Sequence, residues 1–485
     1  MSSTPALNLA LPGNPRYQPK QLQPWFGYDN LYRSLGQVEI AVLQVLGEIG
    51  VIPPEVSSCL TPQVIEALLN IRTTEVDEVE RTITKHDVRA WVRIAQGIVG
   101  EQLAPWVHVP LTSYDAIETA RAFQFREAYQ QALRPALTDG IKTLVALVKR
   151  NYATLQIGRT HGQHALPITV GFWLATILSR LVYNFEEMER TSARLVGKIS
   201  GAVGAYNAQV ALGFNEKSGR GQSFEDRVLR KLGLEPALIS TQILPPEPLS
   251  YFLYACLMMI ATLGQLGRDC RHLMRSEIAE IGEPYEEGQV GSSTMAHKRN
   301  PINFEQLEGM FIRSKNEFGK VLDALISEHQ RDLVGSSVSR DFPIILVNLM
   351  QQLNTLLRRD RLGVPFLGRI SVDVEATQRN FEASSHLILA EPLYIALQMA
   401  GFGGDAHELL NSWVVPAATR TGRPLINVLE DLSETDEVIA KALENIPPHL
   451  RNLFYFPENY IGLARKKAQE VVGVAESLLT RLNLG

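Results

Sequence analysis

Long stretches of apolar residues at helical spacing constrain the fold of this chain most strongly. In 171–199 the apolar positions recur at i, i+3, i+4 and i+7, at Leu174, Ile177, Leu178, Leu181, Val182 and Phe185. Similar patterns run through 116–150, 249–281, 304–329 and 341–360. Each covers roughly 20–35 residues, whereas globular helices average about a dozen. Helices this long need partners along their whole length, so the pattern predicts an all-α fold with a long helix bundle.

The remaining segments suggest how the chain is divided around this bundle. Strand signals are weak, because no alternating β-branched run is closed by an Asn-Gly or Asp-Gly turn. Residues 361–372 (RLGVPFLGRISV) break the helical pattern before a further helical part. We therefore predict three helical domains: an N-terminal domain over 1–111, the long-helix bundle over 112–370, and a C-terminal domain over 371–485.

The composition of the chain argues against two classes of binding partner, nucleic acids and membranes. The chain has 485 residues, of which 45% are hydrophobic, and a formal net charge of −5. This mild acidity gives no general attraction to nucleic acid or to an anionic membrane. The most apolar window, 252–267, is interrupted by glycine and followed by RDCRHLMR, and it is judged too short to span a bilayer. We expect neither nucleic-acid nor membrane association.

The cysteines and the N-terminus indicate the compartment. Cys59, Cys256 and Cys270 stand apart, without a CxxC spacing, so neither a zinc site nor a disulfide framework is indicated. The start has no basic segment followed by a long apolar run, and residues 1–15 are interpreted as a polar arm, disordered by default. A reducing cytoplasm fits these features best.

Five polar, non-periodic stretches interrupt the helices and hold the candidate chemistry. They are TKHDV (84–88), PLTSYDAIETA (110–120), GRTHGQHALP (158–167), GQVGSSTMAHKRNP (288–301) and EHQRDLVGSSVSRD (328–341). They contain no metal-like ligand spacing and no Gly-rich phosphate loop, so no metal or cofactor is expected. Their arginines, lysines, serines and helix N-termini suit an anionic substrate. Singly, each has a plain structural explanation, since a Thr-Ser pair before an apolar run is more often a helix cap than a ligand group.

Taken in order, these stretches resemble one enzyme superfamily. GSSTMAHKRNP resembles the signature loop GSSxMPxKxNP of the fumarase/aspartase superfamily. THGQ, HDV, TSxDxxxTA and RDxxxSSxxR, together with SGAVGAYNA (200–208), are similar to segments of the adenylosuccinate lyase family. An Arg-Tyr pair near the N-terminus and FPENYIG (456–462) also fit. The matches run collinearly from about residue 16 to 462, and on them the chain is identified as a member of this superfamily.

The resemblance implies a reaction and its catalytic groups. Members eliminate fumarate from a succinyl compound; adenylosuccinate lyases split a C–N bond of adenylosuccinate and of the related intermediate SAICAR. Ser292 would be the general base, acting as an alkoxide supported by the Gly-Ser-Ser backbone N–H groups and by Lys298. His161 would be the general acid for the leaving nitrogen, with His86 as the competing candidate. Otherwise His86 would orient the phosphate or the succinyl part, with Asp87 fixing its tautomer.

The resemblance also implies a set of substrate contacts and a quaternary structure. The nucleotide end would be bound by Arg16, Tyr17, Arg331, Ser336 and Arg340. The succinyl end and base would be bound by Thr112, Ser113, Gln163, Gln242, Asn300 and Glu305, with Lys85, Asp87 and Ser293 completing the set. For Gln242 and Glu305 a purely structural role at a helix end stays a strong alternative. The family assembles each site from three chains of a homotetramer built on the long helices.

Three positions depart from the family pattern. Ala296 stands where the signature loop usually has proline, Pro110 precedes the Leu-Thr-Ser, and Tyr114 occupies a position that is often small or polar. A phenol beside Thr112 and Ser113 could reshape the succinyl pocket. Two alternatives therefore stay open: a paralogue that eliminates fumarate from another N-succinyl compound, and an inactive scaffold with the same fold.

Overall fold

The computed structural model describes residues 10–285 and 288–484, so the first nine residues of the predicted polar arm lie outside it. The described chain contains ten α-helices of 12 residues or more: α1 (Arg33–Glu48), α2 (Asp87–Val99), α3 (Ser113–Ala128), α4 (Arg134–Arg150), α5 (Val170–Ser192), α6 (Glu247–Leu273), α7 (Ile302–Asp323), α8 (Pro343–Leu357), α9 (Val374–Ser385) and α10 (Ala464–Leu484).

Shorter elements connect these helices. The short α-helices are Gln23–Phe26, Pro54–Ser57, Pro62–Leu69, Thr73–Val79, Asn207–Ala211, Phe214–Lys217, Phe224–Lys231, Val334–Val338, Ala390–Met399, Ala406–Leu409, Val415–Thr421, Leu425–Ser433, Glu437–Asn445 and Pro448–Leu453. Five-residue π-helical segments are Glu80–Thr84, Tyr129–Leu133 and Leu410–Val414. Turns of 3₁₀-helix are Lys20–Leu22, Tyr28–Asn30, Ala104–Trp106, Ser339–Asp341, Phe366–Arg369 and Pro457–Asn459.

The predicted long helices are confirmed, and with them the all-α fold class. The pattern over 116–150 corresponds to α3, a π-helical segment and α4 in direct succession. The pattern over 171–199 ends early, at Ser192. There, the hydroxyls of Thr191 and Ser192 donate to backbone carbonyls of their own last turn, which competes with helix continuation. The chain then enters a short parallel strand pairing, β3 (Val196–Gly197) with β4 (Glu235–Pro236).

A β-hairpin replaces one of the predicted polar loops. Strands β1 (Leu155–Thr160) and β2 (Gln163–Thr169) pair antiparallel, and their two-residue turn is His161-Gly162. Both turn residues have positive φ, +54° and +78°, as a type I′ turn requires. The weak strand signal was misleading here, because this hairpin turns through His-Gly and not through Asn-Gly or Asp-Gly. A second antiparallel pair joins β5 (Ile281–Gly282) to β6 (Ser371–Val372).

The chain forms two compact units, each assembled from separate segments. The first unit comprises the chain up to Asp139, Tyr183–Gly264 and Gln306–Leu357. In it, α8 is tied to its neighbours by the buried Gln352, whose amide donates to the carbonyls of Ile260 (3.2 Å) and Leu307 (2.7 Å). This internal polar bridge fixes α8 against α6 and α7.

The second unit comprises Gly140–Val182, Gln265–Glu305 and the chain from Arg358 onward. Its apolar core is built mainly from the helical segments between Ala390 and Leu453, together with Phe381 of α9, and it includes Ile157 of the hairpin. The hairpin therefore rests on a packed base through β1. The division into three domains stays a prediction.

Helix α6 qualifies the membrane interpretation. Its 27 residues are long and apolar enough to cross a bilayer, so the prediction that the apolar segment is too short was wrong. However, 61% of its most apolar window is buried within the protein. Such burial is typical of a core helix, which is apolar for packing.

Candidate active site

The Thr-Ser pair lies at the N-terminus of α3, as predicted. Thr112 is the N-cap residue, and its backbone N–H donates to the Asp115 carboxylate (2.9 Å), while the Asp115 N–H donates back to the Thr112 carbonyl (3.0 Å). This capping arrangement leaves the first turn rigid. Ser113 is the first helical residue, where the helix dipole favours a bound carboxylate.

Asp115 also anchors the Gly-Ala-Val-Gly segment. Its carboxylate is fully buried and forms an ion pair with the equally buried Lys198. Asp115 Oδ1 additionally accepts the backbone N–H groups of Ser200 and Gly201, both at 3.1 Å. The N-terminus of α3 and the segment beginning at Lys198 therefore share one buried carboxylate.

The same segment positions Gln242. The hydroxyls of Ser200 and Ser240 lie 2.7 Å apart. Gly204 has φ +74°, and a Cβ there would lie 2.1 Å from the Ser240 carbonyl oxygen. Only glycine permits this approach. Gln242 follows two residues after Ser240, so its backbone is held by these contacts.

Four side chains of the first unit meet in one polar cluster: Tyr114, Gln242, Arg331 and Ser336. The Arg331 guanidinium carbon lies 3.3 Å from the Tyr114 ring centroid, and Arg331 Nη1 donates to Gln242 Oε1 (2.7 Å). The Tyr114 hydroxyl donates to Ser336 Oγ (3.2 Å). Three residues predicted to bind substrate are thus brought together around the phenol that departs from the family pattern.

The His-Asp-Val segment begins helix α2. His86 is the N-cap residue, and its Nδ1 faces the Arg89 backbone N–H at 3.5 Å and Asp87 Oδ1 at 3.3 Å. Both contacts are long, so they orient the ring weakly. The Lys85 and His86 side chains are exposed to solvent, which leaves them accessible to a ligand.

A half-buried tyrosine, Tyr32, lies within electrostatic range of both the His-Asp-Val segment and Arg340. Burial, reinforced by the nearby Asp87 carboxylate, raises the pKa of Tyr32 well above its usual range, while Arg340 opposes the shift. Two predicted site residues therefore lie within electrostatic range of one phenol. Nothing in the local sequence marks Tyr32 as a neighbour of either.

At the N-terminal Arg-Tyr pair, the Tyr17 ring forms a cation–π contact with Arg313. The guanidinium carbon of Arg313, on α7, lies 4.8 Å from the ring centroid, and Arg313 also donates to Asn348 Oδ1 (3.3 Å). Arg16 is exposed. Arg313 was not predicted, because it lies inside a long helix and outside every recognised motif.

In the second unit, His161 lies at the tip of the β1–β2 hairpin. Its side chain is exposed, as is that of Gln163 on the first position of β2. Within the described residues, the His161 imidazole has no hydrogen-bond partner. The tip thus presents a free imidazole on a fixed two-residue turn.

The hairpin is fastened by one buried carboxylate. Glu280, which is fully buried, accepts from Arg159 (2.6 and 3.2 Å), from Gln156 (2.8 Å) and from Asn380 of α9 (2.8 Å). Arg159 and Gln156 lie on β1, two and five residues before His161. The sequence offered no signal for Glu280, because its partners lie 100 or more positions away along the chain.

The second histidine of the hairpin is tied down. His164 Nδ1 lies 2.7 Å from Ser384 Oγ. Partial desolvation, reinforced by the positive charge of Arg159, lowers the pKa of His164 below its ordinary value. His164 is therefore disposed to stay neutral, unlike a general acid.

The signature loop folds back on itself around Ser292. The backbone N–H groups of Met295 and Thr294 lie 3.1 and 3.4 Å from Ser292 Oγ. A Cβ on Gly291 would lie 2.5 Å from the Lys298 carbonyl oxygen, so glycine permits the two arms of the loop to meet. The donors near Ser292 thus come from residues after the Gly-Ser-Ser sequence, whereas the sequence had suggested Gly-Ser-Ser itself.

The tip of the loop is a β-turn. The Lys298 N–H donates to the Met295 carbonyl (3.0 Å), which places Ala296 at the second position of the turn. Proline is favoured at this position because its fixed φ matches the turn. Ser293, Ala296 and Lys298 are exposed.

The base of the loop is closed by Glu283. Its carboxylate accepts the Phe304 backbone N–H and the Asn303 side-chain amide, both at 2.8 Å, at the first turn of α7. Burial raises the pKa of Glu283. Asn300 is half-buried just before α7, and Glu305 is exposed in its first turn. Glu283 itself was missed, because no motif includes it.

Comparison with known proteins gives four informative matches. A family model described as "Lyase" matches residues 44–313. An adenylosuccinate lyase of Pyrococcus abyssi is 32% identical over 96% of this chain and 98% of that protein, and an N-acetyl-S-(2-succino)cysteine lyase of Dickeya dadantii is 29% identical over 97% of each. The crystal structure of 3-carboxy-cis,cis-muconate lactonizing enzyme from Pseudomonas putida superposes with a TM-score of 0.77 at 24% identity, covering 95% of this chain and 98% of that one.

Proposed function

Because this chain belongs to the fumarase/aspartase superfamily of lyases, we propose that it eliminates fumarate from adenylosuccinate, releasing AMP, and from SAICAR, releasing AICAR. The observation that carries this proposal is the Pyrococcus match over 96% of the chain. It is supported by the cluster of Arg331, Gln242 and Ser336, whose donors suit the phosphate and polar groups of a nucleotide.

Ser292 is the proposed general base, which removes a proton α to a carboxylate of the succinyl group. A serine hydroxyl is a poor base in water, so its alkoxide needs hydrogen-bond donors. The Met295 and Thr294 N–H groups, at 3.1 and 3.4 Å, supply two. Lys298 adds positive charge to the same loop.

His161 is the proposed general acid, which protonates the leaving nitrogen. Imidazole is the side chain that gives and accepts protons near neutral pH, and His161 is free at an exposed tip. His86 is the alternative acid; as a helix cap with two long contacts, it suits orientation of the substrate better.

The remaining predicted residues bind the two ends of the substrate. Thr112, Ser113 and Asn300 suit the succinyl carboxylates, because the first two lie at a helix N-terminus. At the nucleotide end, Arg16, Tyr17 and Arg340 are proposed to bind the substrate together with Arg331. The proposed substrate contacts are completed by Lys85, Asp87, Gln163, Ser293 and Glu305.

We propose a cytoplasmic homotetramer with shared active sites. Helices α6 and α7 of the first unit expose large apolar side chains, including Tyr251, Tyr254 and Ile312, each at least 51% exposed. Such faces on long helices favour burial against further copies of the chain. Size-exclusion chromatography with light scattering is expected to give a tetramer, and an active monomer would contradict the shared sites.

The activity test follows ultraviolet absorbance of adenylosuccinate together with fumarate release. Wild-type protein should consume the substrate, and His161→Ala should lose nearly all turnover while keeping its fold. Leu166→Ala, on the same hairpin and 37% exposed, is the matched control and should retain activity. Absence of turnover of both adenylosuccinate and SAICAR would refute the proposal.

The second candidate function is that of a paralogue acting on another succinyl compound. It is favoured by the 29% identity to the Dickeya dadantii lyase. Turnover of N-acetyl-S-(2-succino)cysteine, without turnover of adenylosuccinate, would establish it.

A further inference from the structure

Among the described residues of the first unit, Arg331 has no carboxylate paired with its guanidinium. Its Nη1 donates to Gln242 Oε1 and its Nε to the Asp332 carbonyl (3.2 Å), and within the described residues it forms no ion pair. The neighbouring Asp332 carboxylate is occupied by the backbone N–H groups of Glu328 (2.9 Å) and Val334 (2.7 Å). The Nη2 group of Arg331 is left free to bind an anion.

Tyr114 fixes the plane of this guanidinium. The ring lies directly beneath it, 3.3 Å from centroid to guanidinium carbon, and Tyr114 is only 9% exposed. Stacking on an aromatic face orients arginine and reduces the entropy lost when it binds a ligand. Gln242 holds one edge of the same group, so the free donors point in a defined direction.

The Tyr114 hydroxyl orients a second donor. It donates to Ser336 Oγ at 3.2 Å, so that oxygen acts as an acceptor. The hydroxyl hydrogen of Ser336 is then directed elsewhere, and it is free to donate to a ligand oxygen. One phenol therefore sets the direction of donors on two residues.

We propose that Tyr114 is a specificity-determining residue, which positions Arg331 and Ser336 so that the site selects succinyl compounds carrying a phosphate dianion at their other end. This inference rests on the proposed function and deepens it. Tyr114 itself does not touch the reacting atoms. A planar guanidinium beside a hydroxyl donor matches phosphate oxygens, whereas a ligand without phosphate gains nothing from either.

The test measures equilibrium binding, and so does not require turnover. Calorimetry gives the dissociation constants of AMP and adenosine. Because the two ligands differ only by the phosphate, the ratio of their dissociation constants measures the contribution of the phosphate to binding. Tyr114→Leu should lower the preference for AMP about tenfold, because it removes both the stacking and the hydroxyl. Tyr114→Phe keeps the ring and should lower it about threefold.

Arg331→Lys is the companion variant, since it keeps the charge but loses the planar fork. If Tyr114 acts through Arg331, combining Tyr114→Leu with Arg331→Lys should lower the preference little further than Arg331→Lys alone. Thermal melting of each variant confirms that it is folded.

The outcomes separate the two proposals. If Tyr114 were merely structural, AMP and adenosine would lose affinity equally, and an unchanged ratio in Tyr114→Leu would overturn this inference alone. Equal affinity of the wild-type protein for AMP and adenosine would overturn the nucleotide substrate, and this inference with it.

Discussion

The buried ion pair between Asp115 and Lys198 should make Asp115→Asn one of the most destabilising conservative substitutions in this chain. Both side chains are fully buried, and the asparagine would leave the Lys198 ammonium without its countercharge. Removing one partner of such a pair costs about 3–5 kcal/mol of unfolding free energy. The N–H groups of Ser200 and Gly201 still meet the asparagine oxygen, so the loss comes chiefly from the charge.

Urea unfolding followed by circular dichroism measures this effect. The matched control is Glu187→Gln, which breaks an exposed pair with Arg190 and should leave the unfolding midpoint unchanged. Adding Lys198→Met to Asp115→Asn removes the uncompensated charge and should recover part of the loss. A midpoint for Asp115→Asn equal to that of the control would refute the assignment of a large cost to this pair.

Two further predictions concern the loop and the hairpin. Ala296→Pro lies at the second position of the Met295–Lys298 turn and should change kcat by about two- to fivefold. The reason is that proline lowers the conformational entropy of the open loop, which is worth about 0.4–1 kcal/mol of free energy. A hundredfold change in kcat would show that the position has another role. The lowered pKa of His164 means that the unfolded chain binds a proton there more readily than the folded protein, so stability is lost as the pH falls below the ordinary value of 6.5. The melting temperature of wild type relative to His164→Asn should therefore decrease between about pH 7.5 and pH 5, and a constant difference would contradict the lowered pKa of this ring.

Local patterns predicted much of the fold. The helical periodicity of 116–150 was confirmed as α3, a π-helical segment and α4, because side chains three and four apart share a helix face whatever lies opposite. The hairpin at His161-Gly162 was missed for a local reason as well. Its turn needs positive φ at both residues, and histidine is a weaker indicator of that conformation than asparagine.

The candidate site divides in the same way. The sequence by itself determined the superfamily and proposed Ser292 and His161 as catalytic residues, because both inferences depend on the order of short motifs. Only the tertiary structure decided which groups meet. Tyr114 contacts Ser336 across 222 positions, and Glu280 contacts Gln156 across 124. Contacts at such separations depend on the packing of several helices at once, which no local pattern encodes. The phenol that the sequence marked only as a departure therefore became the centre of a polar cluster once the chain was folded.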